Sequence, residues 1–244
     1  MTKTKERYYS KGYYHGLKAE PRFDTVAKLF TSLTGNRLLD LGCGDGDITL
    51  VLKASMHASE AYGVDLSEEA VKLASEKGIR ALHLDLDDEA LPFENSFFDV
   101  VYCGEIIEHV FDPDHLLAEV KRVLKTSGSC IITTPNLAGW SSRFALLFGY
   151  QPYPMAASPL HESAGKLFLK KPQGQWGHIR VFTLQALKEI VQLHGFIIRK
   201  IIGCSVTVQT SSAGALRGIQ AVDKLMSKFP SMSSRIIIVL EKPN

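Results

Sequence analysis

The sequence predicts one α/β domain built on a doubly wound, mostly parallel sheet. Strand-like apolar runs alternate with helix-like patterns from about residue 22 to residue 134, as expected for parallel strands joined by crossover helices. The first strand runs into a glycine-rich turn, Gly42-Cys-Gly-Asp-Gly46, and a helix pattern follows at once. A chain of 244 residues can form such a domain with its own core.

Composition and net charge disfavour nucleic-acid-binding and membrane-spanning functions. The net charge of +2 gives no strong attraction to nucleic acid, and no basic patch with interleaved aromatics is visible. There is no signal-peptide pattern and no apolar run of membrane-spanning length, so we expect a cytoplasmic protein. The cysteines show no C-x-x-C pairing and lie in or beside buried-strand patterns, so we expect free thiols.

The regular pattern begins with a helix. Residues 22–34 carry apolar side chains at helical spacing and are predicted to pack against the sheet. Residues 1–20 are polar, basic and tyrosine-rich, and their aromatics follow no periodic stripe. Tyr9, Tyr13 or Tyr14 could therefore cover a bound ligand; a loose tail is the alternative.

The glycine-rich turn predicts a ligand site at the carboxyl edge of the sheet. Gly42, Gly44 and Gly46 allow a sharp turn and close approach of a ligand to the backbone. The third glycine of a dinucleotide fingerprint would fall at Asp47, and no Gly-Lys-Ser/Thr follows, so neither that motif nor a P-loop is present. With Asp40 just before it, this acidic turn suits a ligand carrying a positive charge and an amino group, such as S-adenosylmethionine.

A second strand over residues 61–65 ends in a carboxylate. Asp65 lies about 20 residues beyond the turn, where a ribose-binding acid is expected in this architecture. Leu66 follows, and Ser67 can cap the next helix. We therefore interpret Asp65 and Leu66 as cofactor-binding residues; a helix-entry role is the alternative for Asp65.

A third strand over residues 79–84 leads into Asp85 and Leu86. We predict that Asp85 accepts a hydrogen bond from the adenine amine and that Leu86 packs on the adenine ring. The alternative is a solvated acidic loop, because residues 85–89 form a run of negative charge.

After a fourth strand over residues 96–104, a family resemblance becomes specific. The ordered motifs LDLGCGDG, GVDLS, LPFENSFFDVV, EIIEHVFDP and LAEVKRVLKTSGSCIITTPN, over about residues 37–136, resemble those of class I S-adenosylmethionine-dependent methyltransferases. The E-x-x-E-H element and the GHIRVFT stretch at 177–183 are similar to quinone-biosynthesis O-methyltransferases and to many small-molecule and glycan methylases. The PNLAGW stretch at 135–140 is similar to methionine-biosynthesis accessory methyltransferase-like proteins. The resemblance implies a seven-stranded, Rossmann-like sheet with a reversed last strand.

We expect the residues after the fourth strand to carry the chemistry. Glu105 should lie near the sulfonium or amino group of the cofactor, and His109 is the candidate general base because imidazole titrates near neutrality. The spacing predicts that Glu105, Glu108 and His109 share one face of a helix. Similarity to quinone O-methyltransferases suggests that this set could hold Mg²⁺; a capped helix start is the alternative, and we assign no metal ligand.

Residues 137–178 are predicted to form an acceptor-binding cover on the cofactor-binding core of residues 21–136. An apolar helix begins near Trp140, and the Pro- and Gly-containing stretch that follows is longer than an ordinary connection. The helix could touch a hydrophobic substrate or a membrane surface; ordinary packing is the alternative. Trp140, Tyr153 and His178 could line the acceptor pocket, His178 is a second base candidate, and Arg180 could orient an anionic acceptor.

Residues 179–244 complete the sheet. Thr183 can cap a helix that Gly195 ends, and a strand follows over about residues 196–203. A further helix over residues 215–228 and a final strand over residues 234–240 close the pattern. The reversed direction of that last strand is implied by the resemblance.

Three functions compete. The preferred one is methyl transfer from S-adenosylmethionine to a small-molecule acceptor, at a hydroxyl oxygen. The second is a non-catalytic S-adenosylmethionine-binding protein that acts through a partner enzyme. The third, a nicotinamide-dependent oxidoreductase, is disfavoured by Asp47 in place of the third glycine.

Overall fold

The computed structural model describes residues 21–158, 161, 163–167, 177–206 and 213–244, without the side chains of residues 213–217. The expectations for Tyr9, Tyr13 and Tyr14 lie outside these residues. The helices are α1 Pro21–Phe30, α2 Asp47–Ser55, α3 Glu68–Glu76, α4 Pro113–Val123, α5 Trp140–Leu147, α6 Leu184–Leu193 and α7 Ala213–Met226. The strands are β1 Arg37–Leu41, β2 Glu60–Asp65, β3 Arg80–His83, β4 Phe98–Gly104, β5 Leu124–Pro135, β6 Ile197–Cys204 and β7 Arg235–Glu241.

The seven strands form one sheet in the order β3-β2-β1-β4-β5-β7-β6. The first five strands, β1 through β5, pair with their neighbours in parallel, whereas β7 runs antiparallel to both β5 and β6. The predicted α/β fold with its reversed last strand is confirmed. The strand order changes direction between β1 and β4, and the carboxyl ends at such a switch point form the usual ligand crevice of open α/β sheets.

Both faces of the sheet are covered, which explains why the leucines of β1 are buried on both sides. Leu39 and Leu41 face a core shared with α4 and α6, while Leu38 faces a second core with Phe30 of α1. All four side chains are fully buried. The four cysteines are also buried and carry free thiols, as expected.

Local capping follows the sequence signals closely. The Ser67 hydroxyl accepts a hydrogen bond from the Ala70 amide at 3.3 Å, and the Thr183 hydroxyl accepts one from the Ala186 amide at 3.1 Å. α1 ends at Phe30, earlier than the predicted residue 34.

None of the helices in the described part of the chain combines the length and hydropathy that a membrane span requires.

Residues 105–109 form no helix, so the shared helix face that the spacing of Glu105, Glu108 and His109 would give is absent. Glu105 adopts a left-handed backbone conformation, with φ +55°, and its amide donates to the Thr133 carbonyl at 2.9 Å. This bond continues the pairing with β5 and turns the chain away from a helical path. The next helix begins only at Pro113, where Asp112 accepts a hydrogen bond from the His115 amide at 2.9 Å.

Candidate functional site

The turn between β1 and α2 has the geometry that its glycines indicate. Gly42, Gly44 and Gly46 have φ values of +75°, +55° and +82°, a region that side-chain-bearing residues rarely adopt. A Cβ atom at Gly46 would lie 2.3 Å from the Ile79 side chain. The Gly42 amide donates to the Val64 carbonyl at 2.8 Å, so the turn is held against the end of β2.

Asp65 connects this turn to the next helix. One carboxylate oxygen accepts a hydrogen bond from the Gly44 amide at 2.9 Å, and the other accepts one from the Ser67 amide at 2.9 Å. Its carboxylate therefore lies beside the glycine turn, at the edge where the sequence predicts it. Leu66 follows it, half-buried, and its carbonyl oxygen lies 2.9 Å from a ring nitrogen of His83.

Asp40 is buried beneath the turn. Its carboxylate accepts a hydrogen bond from the Thr49 hydroxyl at 2.6 Å, and only 3% of the residue is exposed. Burial raises the pKa of Asp40 to about 7; the Thr49 hydrogen bond lowers it and the nearby Asp65 charge raises it. Near neutral pH the Asp40 carboxyl is therefore partly protonated and partly ionised.

A cavity of about 40 Å³ lies beside Asp40. Its lining includes Gly42 and Tyr102 from the glycine turn and β4, Ile48 from α2, and Arg22 and Phe23 from the first turn of α1. This volume suits a few water molecules at most. The first turn of α1 therefore closes the carboxyl edge of the sheet over the glycine turn.

Glu105 lies in a cluster with two arginines. Its carboxylate pairs with Arg22 at 3.0 Å and with Arg235, and it accepts a hydrogen bond from the Thr133 hydroxyl at 3.0 Å. Neither arginine could be recognised from the sequence, because α1 and β7 are distant in sequence from β4 and carry no local motif. The basic residue in the first turn of an otherwise amphipathic helix was the one available signal.

The acidic stretch after β3 forms an ordered turn. Asp85 is buried, and its carboxylate accepts a hydrogen bond from the Asp87 amide at 3.1 Å. Asp87 in turn accepts hydrogen bonds from the amides of Phe111 and Asp112, which ties the loop after β4 to this turn. Leu86 is buried within the core on the α4 and α6 face of the sheet.

A second polar cluster joins the core to the predicted cover. Glu108, His109 and His178 each offer one ligand atom, and these atoms lie within 4.8 Å of one another. The two imidazole centroids are 4.9 Å apart. The structure thus brings Glu108 and His109 together with His178 and leaves Glu105 with the arginines, which corrects the predicted grouping of Glu105, Glu108 and His109.

Burial dominates the electrostatics of this second cluster. Burial raises the pKa of Glu108 to about 7, while hydrogen bonds, including that from Thr134, lower it. Burial lowers the pKa of His109 to about 4; the nearby His178 lowers it further, and a hydrogen bond to the Gly177 backbone opposes the shift. His109 is therefore neutral at pH 7, the form in which imidazole accepts a proton.

Other predicted acceptor residues form internal contacts. The Trp140 indole donates to Asp223 at 2.7 Å, and the Tyr153 hydroxyl donates to the Leu167 carbonyl at 3.0 Å. The Arg180 guanidinium donates to the Phe111 carbonyl at 2.9 Å, so it ties the segment that follows the cover to the loop after β4.

This strand order, the reversed β7 and the glycine turn at the switch point together define a class I, Rossmann-like methyltransferase fold. A family model described as "Methyltransferase domain" matches residues 39–132. Solved S-adenosylmethionine-dependent methyltransferases share this fold. The one from Archaeoglobus fulgidus has a TM-score of 0.57, 21% identity and 91% coverage of both chains. The one from Mesorhizobium loti has a TM-score of 0.59 and 17% identity, covering 89% of this chain and 96% of that one.

The chain belongs to the class I S-adenosylmethionine-dependent methyltransferase family, and it is an enzyme of that family. It is 34% identical over 178 residues to the demethylmenaquinone methyltransferase of Staphylococcus aureus (strain JH9), covering 67% of this chain and 68% of the relative. It is 36% identical over 111 residues to the ubiquinone biosynthesis O-methyltransferase of Methylococcus capsulatus, covering 43% of this chain. The matched region spans 46% of the Methylococcus protein.

Proposed function

We propose that the protein transfers a methyl group from S-adenosylmethionine to a hydroxyl oxygen of a quinone-type small molecule. The observation that carries this proposal is the glycine turn of residues 42–46 with the Asp65 carboxylate bonded to it at the sheet edge. The names of the two curated relatives, both acting in quinone biosynthesis or on a menaquinone precursor, support the acceptor class.

The donor set fits the chemical groups of the cofactor. The Asp65 carboxylate would accept hydrogen bonds from the ribose hydroxyls, and Asp85 with Leu86 would contact the adenine. The glycine turn and Asp40, which line the cavity, would face the amino-acid part. Arg22 is the cation that lines the same cavity, and a guanidinium suits the cofactor's carboxylate.

Entry of the cofactor requires the first turn of α1 to move. The cavity of about 40 Å³ leaves little room for the amino-acid part of the cofactor, and Arg22 and Phe23 form its α1 side. Arg22 also pairs with Glu105, so displacement of this turn would exchange one charged contact for another. We infer that Glu105 holds Arg22 at the sheet edge before the cofactor enters.

Bound S-adenosylmethionine would supply an activated methyl group. The protein then has to hold the acceptor hydroxyl in line, exclude water and take up one proton. His109 is the proposed proton acceptor because it follows the carboxyl end of β4 and is neutral at pH 7, although a pKa of about 4 makes it a weaker base than an ordinary imidazole. His178 lies beside it and is the second candidate.

The exposed side of α5 supports a lipid-like acceptor or a peripheral contact with a membrane. Phe144 and Phe148 are about half exposed, with ring centroids 4.9 Å apart, and 79% of Leu147 is exposed. A contiguous apolar surface of this kind on a folded domain commonly marks an interaction site. A polyprenyl tail would bury it.

Calorimetry and a labelled-methyl assay test the proposal together. We expect S-adenosylmethionine to bind with micromolar-class affinity, on the order of −8 kcal/mol. Labelled methyl should be transferred to polyprenylated phenols, and not to sugars or small acids. Asp65→Ala should weaken cofactor binding by about 1–3 kcal/mol, whereas Asp88→Ala, in the exposed part of the acidic turn, should not.

The outcomes separate the candidate functions. Cofactor binding without transfer to any acceptor would favour the accessory, non-catalytic alternative. Equal affinity in the wild type and Asp65→Ala would refute the ribose assignment. Absence of any measurable binding would refute the proposal as a whole.

A further inference from the structure

One oxygen of the buried Glu108 carboxylate lacks a hydrogen-bond partner among the residues that the structure describes. Glu108 is fully buried, and its Oε2 atom accepts a hydrogen bond from the Thr134 hydroxyl at 3.0 Å. Its Oε1 atom has no hydrogen-bond partner within the part of the chain that the structure describes. A buried carboxylate oxygen is costly unless a hydrogen bond or a cation compensates it.

Two imidazoles lie at this carboxylate. One ligand atom from each of Glu108, His109 and His178 lies within 4.8 Å of the other two. His178 donates from Nδ1 to the Pro154 carbonyl at 2.6 Å, and His109 has a hydrogen bond to the Gly177 backbone. Backbone carbonyls that accept from one ring nitrogen are the usual support of metal-bound histidines, because they fix the tautomer and the ring orientation.

The donor set differs from the Mg²⁺ set suggested by sequence similarity. Glu105 would have to join Glu108 and His109, yet its carboxylate is paired with Arg22 and Arg235. Mg²⁺ prefers oxygen ligands in octahedral geometry, so two imidazoles and one carboxylate do not suit it. Two histidines and a carboxylate are typical ligands of zinc and of neighbouring divalent transition metals.

We propose that Glu108, His109 and His178 bind one divalent transition-metal ion of the zinc class at the junction of the core and the cover. In a tetrahedral site with metal–ligand distances near 2.1 Å, ligand atoms are about 3.4 Å apart, so separations of up to 4.8 Å have to shorten by up to about 1.4 Å when the ion binds. The ion would fix residues 177–178 against the loop after β4. It would also occupy the ring nitrogens that His109 and His178 leave free, so the metal-bound form could use neither histidine as the base.

Cobalt(II) titration of the full chain tests this site. Cobalt bound by imidazole and carboxylate in a four-coordinate site gives visible absorption bands, which hexahydrated cobalt gives only weakly. We expect one equivalent to bind to the wild type, and Zn²⁺ but not Mg²⁺ to displace it. His178→Ala should weaken cobalt binding at least about tenfold, and Glu108→Gln should do the same with little change in volume.

The controls separate this proposal from the proposed function. His57→Asn alters an exposed histidine remote from the cluster and should leave the cobalt spectrum unchanged. Urea unfolding reports whether each variant is folded, independently of cofactor binding. The proposal is overturned if the wild type gives no four-coordinate spectrum, if His178→Ala binds cobalt as tightly as the wild type, or if Mg²⁺ displaces cobalt at similar concentration.

Discussion

Asp40→Asn should make the protein more stable at alkaline pH and less dependent on pH. Burial raises the pKa of Asp40 from 3.8 to about 7 in the folded protein. Between these values the folded state retains a proton that the unfolded state has released, so stability falls as pH rises from about 4 to 7 and then levels off. A shift of about 3 pKa units corresponds to about 4 kcal/mol at most.

Asparagine removes this titration and keeps an oxygen that can accept the Thr49 hydrogen bond. At pH 5 the wild type has lost only about 1.6 kcal/mol through Asp40, whereas at pH 8 it has lost the full amount. The advantage of the variant over the wild type should therefore grow by about 2–3 kcal/mol between pH 5 and pH 8.

Urea unfolding at the two pH values measures the effect. Comparing the variant with the wild type at each pH cancels the contribution of Glu108, whose pKa is raised in the same direction. Asp88→Asn, on the exposed acidic turn, is the matched control and should show no such growth. An advantage of Asp40→Asn that is the same at both pH values would refute the reasoning. If the charge of Asp40 serves the cofactor, the variant should also bind S-adenosylmethionine more weakly.

Two further variants test the supports of the site. Ser67→Ala removes the acceptor of the Ala70 amide and should lower the free energy of unfolding by about 1 kcal/mol in a urea titration; an unchanged value would show that the cap contributes nothing. Glu105→Gln leaves two mostly buried guanidiniums without their carboxylate and should cost about 3 kcal/mol, measured in the same way. The double variant with Arg235→Gln should recover part of that loss, and failure to recover any would contradict the ion-pair explanation.

The fold could be predicted because its determinants are local. The buried run of β1 needs apolar side chains on both faces, and its turn needs glycines at the three positions with positive φ. Ser67 and Thr183 act as caps through bonds that reach only three residues along the chain. Each of these features depends on residues that are close in sequence, so local sequence patterns are sufficient to predict it.

The two arginines of the Glu105 cluster could not be predicted in this way. Arg22 lies in α1 and Arg235 at the start of β7, and only the assembled sheet brings them to the end of β4. Likewise the sequence marked His109 and His178 as separate base candidates, but their contact depends on how the cover lies on the core.

The separation of Glu105 from Glu108 has a definite cause in the register of β4 against β5. Gly104 is paired with Thr133, so the chain is still bonded to β5 when it reaches Glu105. Successive side chains of a strand point to opposite faces, and therefore Thr133 and Thr134 face different sides of the sheet. Thr133 donates to Glu105 and Thr134 donates to Glu108, so each carboxylate is drawn to its own side. On a helix, a spacing of three residues would bring the two carboxylates to one face. At the end of β4, the pairing with β5 instead places them on opposite sides.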